Sequence, residues 1–405
     1  MMIVRVVVVE NIRNVMAEDK QKLNFNTRVI HVAQEPEPIF GAVSHPIYLT
    51  STYKQESFGE YIYDYSRAGN PTRDNLEKSI SSLEDGKGAV AFGSGMAAIS
   101  SIITLLSSGD HIIVSHNVYG GTFRILDKIY KNFNIEVDWV NTSDVEAVKD
   151  GIKTNTKFIF IETPTNPMMQ LSDIESIADI AHENNLKLIV DNTFMSPYFQ
   201  RPLNFGADMV LHSTTKYLNG HSDVVGGIVI SNDLDILDKL IFIQMSVGAV
   251  PSPFDCWLTQ RSLKTLSVRM EKHNSNAQKI AQVLENSNKF EKIYYPGLKS
   301  HTQHSLAKKQ QLDPNGEPGF GGMISVVLRN QKSAQKFVNK LKLFTLAESL
   351  GGVESLVCHP ASMTHASIPL EKRKLIGLTD GLVRLSVGIE DPKDLLIDIN
   401  NALGF

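Results

Sequence analysis

The sequence predicts an α/β protein whose large domain holds a mostly parallel sheet covered by helices, followed by a smaller α+β domain. From about residue 66, short apolar strands alternate with amphipathic helices, the pattern of a helix-covered parallel sheet. After about residue 262, longer charged helical stretches flank single strands. The 405 residues exceed one typical domain. We therefore predict an N-terminal extension and arm over 1–65, a large domain over 66–262 and a C-terminal domain over 263–405.

The individual elements follow from the spacing of apolar residues. Strands of the large domain are predicted at 88–92, 111–115, 135–140, 157–162, 187–191, 207–212 and 225–230. Helices are predicted at 95–106 and after a capping box at 172–175. The C-terminal domain is predicted to contain helices at 272–287, 333–343 and 394–403 and strands at 322–328 and 382–387. Residues 16–65 contain three prolines and few clear periods, so an extended arm is expected.

Composition excludes several classes of protein. The net charge of -4 does not favour a nucleic-acid or membrane surface as partner. The two cysteines, Cys256 and Cys358, form neither a metal-binding spacing nor a disulfide framework, which fits a cytoplasmic protein. The apolar run at 1–10 is shorter than the ~20 residues that span a bilayer, and we expect Met16 to be the biological start.

Lys216 and Asp191 form the most informative pair in the chain. Asp191 ends the apolar strand at 187–191, and Lys216 follows a Ser-Thr-Thr run before a glycine-rich segment. A lone lysine is usually a solvated surface charge, but this context suits pyridoxal 5'-phosphate. The lysine amine can form a Schiff base with the cofactor aldehyde, while the aspartate keeps the pyridine nitrogen protonated. Small-molecule chemistry at strand ends is usual in α/β enzymes.

A second pattern predicts where the cofactor phosphate binds. The turn at 91–98 is glycine-rich and joins a strand to a helix, so the amides of Gly95 and Met96 can bind an anion. The hydroxyls of Ser213 and Thr215 can complete this group. A plain tight turn is the alternative for the glycines, and the helix-start amides alone do not decide between them.

Three further side chains and one loop are candidates with equally simple structural alternatives. Tyr119 follows a strand and could stack on the cofactor ring, or it could only pack. Arg384 lies in an apolar strand, where it could bind a substrate carboxylate bidentately or form an internal salt bridge. Asn166, between two prolines, could bind cofactor or substrate or shape a turn. The loop at 61–73 carries tyrosines and arginines suited to phosphate, or is merely exposed.

Ten motifs together give the chain a strong resemblance to the Cys/Met-metabolism family of PLP-dependent enzymes over nearly all of residues 40–400. They are YSRAGNPTR (65–73), GSGMAA (93–98), VYGGTFR (118–124), ETPTNP (162–167), VDNTFMSPYFQRPL (190–203), STTKYLNGHSDVVGG (213–227), LKTLSVRMEKH (263–273), LFTLAESLGGVESL (343–356), MTHAS (363–367) and RLSVGIED (384–391). The resemblance implies PLP fold type I, an aspartate-aminotransferase-like architecture, and a homotetramer in which pairs of subunits share active sites.

The resemblance also implies a role for each matched residue. Lys216 is the Schiff-base lysine and proton carrier, Asp191 pairs with the pyridinium and Tyr119 stacks on the ring. The remaining residues divide into those that bind the cofactor phosphate (Gly95, Met96, Ser213, Thr215, and Tyr65 and Arg67 from the neighbouring subunit), the substrate carboxylate (Asn166, Ser349, Arg384) and the distal end of the substrate (Arg124, Glu348). No metal is implied.

Within the family, Glu348 resembles the residue found both in enzymes that cleave the γ carbon–sulfur bond of cystathionine and in enzymes that form it, and the run at 246–273 is most similar to the enzymes that cleave it. Enzymes that form this bond from an activated homoserine ester and cysteine are the alternative. Cleavage of the β bond is less favoured, as is cleavage of methionine, whose enzymes carry cysteine where Gly121 stands. A PLP-binding scaffold without turnover is the non-enzymatic alternative, which the presence of both Lys216 and Asp191 argues against.

Overall fold

The structure is a computed structural model that describes residues 23–366 and 370–404. The expectation that Met16 is the biological start concerns residues outside the described ranges. Twelve strands are described: β1 (Gly88–Phe92), β2 (His111–Ser115), β3 (Glu136–Val140), β4 (Thr156–Glu162), β5 (Lys187–Asp191), β6 (Met209–His212), β7 (Gly227–Ser231), β8 (Lys292–Tyr294), β9 (Met323–Val327), β10 (Thr345–Leu346), β11 (Leu356–Cys358) and β12 (Leu382–Ser386).

Fourteen α-helices are described, and those of the large domain alternate with its strands. They are α1 (Phe25–His31), α2 (Pro71–Leu83), α3 (Gly95–Ile103), α4 (Gly120–Lys128), α5 (Val145–Asp150), α6 (Ile174–Glu183), α7 (Ser196–Phe199), α8 (Leu234–Val247), α9 (Pro253–Leu263), α10 (Leu266–Glu285), α11 (His304–Gln310), α12 (Gln331–Lys340), α13 (Leu370–Leu375) and α14 (Pro392–Leu403). Within the described residues, no helix is both long and apolar enough to cross a membrane.

The large sheet has the order β1-β7-β6-β5-β4-β2-β3. Strands β2 to β6 pair in parallel, whereas β7 is antiparallel to both β1 and β6. Alternate side chains enter opposite cores, as the pleat requires: Phe158 and Phe160 pack on one face, and Ile159 and Ile161 on the other. The predicted mostly parallel sheet, covered on both faces, is confirmed.

The smaller sheet has the order β10-β11-β12-β9-β8 and lies entirely within the C-terminal third of the chain. Its strands β9 and β12 are fully buried and share a core with α10, α12 and α14. This gives the predicted α+β character. Arg384 is carried into the interior by β12, the centre of three paired strands.

Two local predictions are wrong. The arm is not wholly extended, because α1 forms where Phe25 and Val29, one helical turn apart, bury against α2 and its neighbours. The cap of α6 is Asp173, whose side chain accepts from the Ser176 amide, and not Ser172. The Ser172 hydroxyl instead bonds Thr142 at 2.8 Å, a tertiary contact that the local pattern does not contain.

Candidate active site

The candidate site forms where the parallel strands β4, β5 and β6 end beside one another. Glu162 pairs with Asp191, and Asp191 with Leu211, at the last positions of the ladder. The carboxyl ends of parallel strands lie at one edge of a sheet, where α/β enzymes bind ligands. Asp191 and Ser213, which follows β6, are therefore brought to the same edge.

Asp191 is buried, with one carboxylate oxygen engaged. Its Oδ1 accepts from the Thr193 amide at 3.1 Å and from the Thr193 hydroxyl at 2.6 Å. Burial raises the pKa of Asp191, opposed by these two hydrogen bonds and by the charge of His212. Within the described residues, Oδ2 accepts no hydrogen bond. A protonated ring nitrogen would satisfy this oxygen and keep the buried carboxylate ionised.

The start of α3 offers an anion-binding surface. Ser94 caps the helix by accepting from the Ala97 amide at 3.0 Å, whereas the Gly95 and Met96 amides donate to no group among the described residues. An added Cβ on Gly95 would come within 3.0 Å of the Ser213 Cβ and 3.1 Å of its Oγ. Two free helix-start amides thus lie beside the Ser213 hydroxyl, and position 95 has no space for a residue larger than glycine. This arrangement fits a phosphate group.

Thr215 lies behind this surface. Its hydroxyl accepts from the Gly226 amide at 3.0 Å and donates to the Gly226 carbonyl at 3.3 Å. The next residue, Gly227, approaches so closely that a Cβ would lie 2.4 Å from the Ser94 carbonyl oxygen. Thr215 therefore lies near the anion-binding surface at the start of α3, but its hydroxyl hydrogen bonds to the protein backbone.

Lys216 meets a loop of the C-terminal domain. Its Nζ donates to the Ser349 hydroxyl at 2.9 Å. The approach requires Gly351, which has φ of +77° and whose added Cβ would lie 2.8 Å from the Tyr217 nitrogen. Burial and the Arg384 charge lower the pKa of Lys216 to about 8, while Glu348 raises it. An amine with such a pKa can both accept and donate protons near neutral pH.

Arg384 is buried with neutral partners. Its Nη1 donates to the Asn166 side-chain oxygen at 2.9 Å and its Nη2 to the Ser349 carbonyl at 2.7 Å. The Nε is buried without a hydrogen bond, and no described carboxylate forms an ion pair with this guanidinium. The internal salt bridge is therefore absent from the described residues, and a buried guanidinium whose direct partners are neutral suits an anionic ligand. Ser349 itself has a strained φ of 143°, a feature that clusters at functional sites.

Tyr119 is half-exposed at the start of α4. Its amide donates to the Glu162 Oε2 at 2.8 Å. Its ring lies over Gly121, where an added Cβ would be 2.4 Å from the ring and 2.7 Å from the Met96 sulfur. The ring is thus beside the start of α3 and free on one side to contact a ligand.

Arg124 and Glu348 are both exposed. Arg124 lies on α4, one turn after Tyr119. Glu348 precedes Ser349, close enough to Lys216 to raise its pKa. Both residues are therefore on the solvent-exposed side of the candidate site, Arg124 in the large domain and Glu348 in the C-terminal domain.

Tyr65 and Arg67 are not brought to this group within the chain. Arg67 donates to the Met245 carbonyl at 2.7 Å and lies 5.5 Å above the Tyr65 ring. Neither side chain hydrogen bonds to Gly95, Met96, Ser213 or Thr215 in the described part of the chain. Their expected role therefore requires a second subunit.

Sequence reasoning missed two residues of the site. Thr193 links Asp191 to the anion-binding surface. The Thr193 hydroxyl donates to Asp191 and accepts from the Ser213 amide at 2.9 Å. Glu162 bonds the loops that carry Tyr119 and Asn166. Both stand inside quoted motifs, and Glu162 ends an apolar strand just as Asp191 does. That shared pattern is the signal that could have identified Glu162.

A mostly parallel α/β domain joined to a small α+β domain, with these groups at the strand ends, is the architecture of PLP enzymes of fold type I. The model of the Cys/Met metabolism PLP-dependent enzyme family matches residues 26–404. The chain belongs to this family. It is accordingly a PLP-dependent enzyme, and the non-catalytic scaffold is not supported.

Individual relatives carry different names. The chain is 51% identical over 94% of its length to a cystathionine beta-lyase of Lactococcus lactis, covering 99% of that protein. It is also 51% identical over 93% of its length to a cystathionine gamma-lyase of Bacillus subtilis, covering 98% of that protein. The solved cystathionine gamma-lyase of Lactobacillus plantarum, complexed with L-serine, matches 94% of this chain and 98% of its own, with 45% identity and a TM-score of 0.90.

Proposed function

We propose that this enzyme cleaves the γ carbon–sulfur bond of L-cystathionine, producing L-cysteine, 2-oxobutyrate and ammonia with uptake of one water. The observation that carries the proposal is the surroundings of Lys216. Its amine lies 2.9 Å from the Ser349 hydroxyl, and the charges of Arg384 and Glu348 are both close enough to shift its pKa. A substrate with an amino-acid group at each end matches charged residues at both ends of the site.

The cofactor is proposed to be held by the residues already described. The amides of Gly95 and Met96 and the Ser213 hydroxyl would bind its phosphate, and Asp191 its ring nitrogen. When bound, pyridoxal phosphate supplies an aldehyde that reacts with amines and a ring that withdraws electrons from the substrate Cα. The Tyr119 ring would cover one face of the cofactor.

The near end of the substrate is assigned to Arg384, Asn166 and Ser349. Arg384 is already oriented by its bonds to the Asn166 side chain and the Ser349 carbonyl. A guanidinium oriented by neutral groups keeps its charge available to a carboxylate. This would place the substrate Cα close to the amine of Lys216.

The distal end is assigned to Arg124 and Glu348, whose opposite charges suit the carboxylate and ammonium of a second amino-acid group. Methionine has no such group at its distal end, so these residues favour cystathionine. Gly121 supports the same choice, because enzymes that cleave methionine carry cysteine at this position. Here the Tyr119 ring lies over Gly121, and a side chain at position 121 would displace the ring.

The proton transfers are assigned to Lys216 and Tyr119. With its pKa lowered to about 8 by burial and Arg384, Lys216 Nζ can take the proton from the substrate Cα. After that proton has been passed on, the neutral amine can take a second proton from Cβ. The Tyr119 hydroxyl or Lys216 can donate a proton to the departing γ sulfur. Formation of the same bond from a homoserine ester uses the same residues, so γ-synthase activity is the second candidate.

The deciding experiment compares products. Cystathionine is supplied to the purified holoenzyme, and 2-oxobutyrate with cysteine is quantified against pyruvate with homocysteine. We expect the γ products to exceed the β products at least about tenfold. Parallel reactions supply cysteine with O-acetyl-, O-succinyl- or O-phosphohomoserine. Pyruvate as the main product would assign β cleavage, and cystathionine formation without cleavage would assign the synthase.

A lysine at position 384 is expected to raise KM for cystathionine at least about tenfold while changing kcat less. The reason is that an ammonium cannot bind a carboxylate bidentately while keeping the bonds to Asn166 and Ser349. Steady-state kinetics of Arg384→Lys test this. Arg329→Lys, a change on the exposed surface, is the matched control. An unchanged KM would assign the carboxylate to another residue.

We further propose that the active site is shared between subunits of a homotetramer. The arm supports this, because Ile39, Phe40, Leu49, Phe58 and Ile62 are all more than two-thirds exposed, an apolar surface suited to another protein surface. Tyr65 and Arg67 lie in the loop that follows this arm. The two free, buried cysteines support the expected cytoplasmic location.

Mixed oligomers test the shared site. Arg67→Ala and Lys216→Ala subunits are each expected to be nearly inactive alone. In a mixed pair, one site receives both changes and the other neither, so up to about half of the sites in each mixed pair regain activity by symmetry. Activity is measured after subunit exchange, with native mass spectrometry as the control for mixing. Confirmed exchange without recovery would place Arg67 in its own subunit's site.

A further inference from the structure

Glu162 joins two loops of the candidate site through one buried side chain. It ends β4 and is 5% exposed. Its Oε2 accepts from the Tyr119 amide and its Oε1 from the Asn166 amide, both at 2.8 Å. Tyr119 lies in the loop between β2 and α4, and Asn166 lies in the loop after β4, so a single carboxylate bonds to both loops.

The hydrogen-bonding pattern selects a carboxylate at this position. Both amides are donors, and only an ionised carboxylate presents an accepting oxygen to each without a donor of its own. Glutamine would turn an NH₂ group towards one amide. The two amide hydrogen bonds and Arg384 favour this ionised form, whereas burial and the nearby charge of Asp191 oppose it and raise the pKa of Glu162 to about 8.

The contacts continue to the substrate side of the site. The Asn166 side-chain oxygen orients Arg384 at 2.9 Å, and the Asn166 carbonyl accepts from His365 at 3.0 Å. A shift of the Asn166 backbone would therefore move the group that orients the guanidinium. A shift of Tyr119 would move the ring beside the start of α3.

We propose that Glu162 is a positioning residue that fixes the backbone of Tyr119 and Asn166. Through these two contacts, one side chain would hold the Tyr119 ring against the cofactor and keep Arg384 in its orientation. The part of this role that concerns the substrate, the orientation of Arg384, rests on the proposed function. Its cofactor side depends only on the binding of pyridoxal phosphate.

The test replaces Glu162 with glutamine, which keeps the size and loses one acceptor. In the holoenzyme, we expect Glu162→Gln to lose most of the visible circular dichroism of the bound cofactor, because the Tyr119 ring is no longer held. Its kcat/KM for cystathionine should fall at least about 30-fold, equivalent to about 2 kcal/mol of barrier. Thermal unfolding is measured on the same samples.

Thr156→Val is the matched control. Thr156 begins the same strand at its opposite end and bonds the His111 side chain and the Lys153 amide, both at 2.8 Å. This variant should lose thermal stability while its circular dichroism and kcat/KM stay within about twofold. Equal losses in both variants would reduce the effect of Glu162 to general destabilisation and overturn the proposal.

Two further variants keep the proposal testable. Glu162→Asp retains the charge but is too short to reach both amides, so it should lose circular dichroism and activity as well; full retention of both overturns the proposal even if the glutamine variant does not fold. Asn166→Ala combined with Glu162→Gln should cost less than the product of the single effects. Strict multiplication would show that Glu162 does not act through Asn166.

Failure of the proposed function is distinguishable from failure of this inference. If the unaltered enzyme does not cleave cystathionine, the proposed substrate is wrong, while the cofactor circular dichroism still reports whether Glu162 holds Tyr119. An unchanged circular dichroism in Glu162→Gln overturns the inference whatever the substrate.

Discussion

Replacing Lys216 with alanine is expected to lower turnover of cystathionine by at least about a thousandfold, roughly 4 kcal/mol of barrier. The variant loses the amine that we propose takes and returns the substrate protons, and no other described lysine occupies its place beside Ser349. The phosphate surface at Gly95 and Ser213 and the carboxylate of Asp191 remain, so the cofactor should still bind. Turnover and cofactor content after gel filtration are the two measurements.

Lys187→Ala is the matched control for this change. Lys187 begins β5, at the opposite end of the strand from Asp191, and forms ion pairs with Asp208 at 2.9 Å and Asp233 at 3.2 Å. Its loss should affect stability and leave turnover within about threefold. Near-normal elimination by Lys216→Ala would refute the central assignment of the site.

Asparagine at position 191 is expected to lower kcat at least about a hundredfold, roughly 3 kcal/mol, while cofactor remains bound at saturating concentration. Thr193 holds one oxygen of residue 191, and the amide nitrogen of asparagine would replace the other as a donor. A neutral amide cannot stabilise a protonated ring nitrogen, so the electron-withdrawing capacity of the cofactor falls.

The control for Asp191→Asn is Asp233→Asn, the same change at the cap of α8. Asp233 accepts from the amides of Asp235 and Ile236, and asparagine caps helices about as well as aspartate. Activity of this control should be unchanged. A loss of less than about tenfold in Asp191→Asn, roughly 1.4 kcal/mol, would mean that Asp191 is not the partner of the ring nitrogen.

Much of the fold was predictable because apolar spacing is a local property. The predicted strand at 111–115 agrees with β2, and that at 187–191 with β5. The ends of helices were less predictable, since a cap depends on competing contacts. At α6, Asp173 caps the helix because Ser172 bonds Thr142, 30 residues away in the chain.

The site divides in the same way. The sequence by itself identified the candidate site residues, because motifs such as STTKYLNGHSDVVGG (213–227) and RLSVGIED (384–391) contain them. It could not decide the surroundings of those side chains. Whether Arg384 was paired with a carboxylate inside the protein or kept its charge for a ligand was open from the sequence.

Only the tertiary structure shows that the direct partners of Arg384 are neutral, and that Thr193 and Glu162 hydrogen bond to groups of the candidate site. The contact of Lys216 with Ser349 spans 133 residues, and that of Arg384 with Asn166 spans 218. The charge state and pKa of a buried group are set by the burial, dipoles and charges within a few ångströms. Those neighbours come from strands and loops far apart in the chain, so the sequence names the groups and the folded packing sets how each one acts.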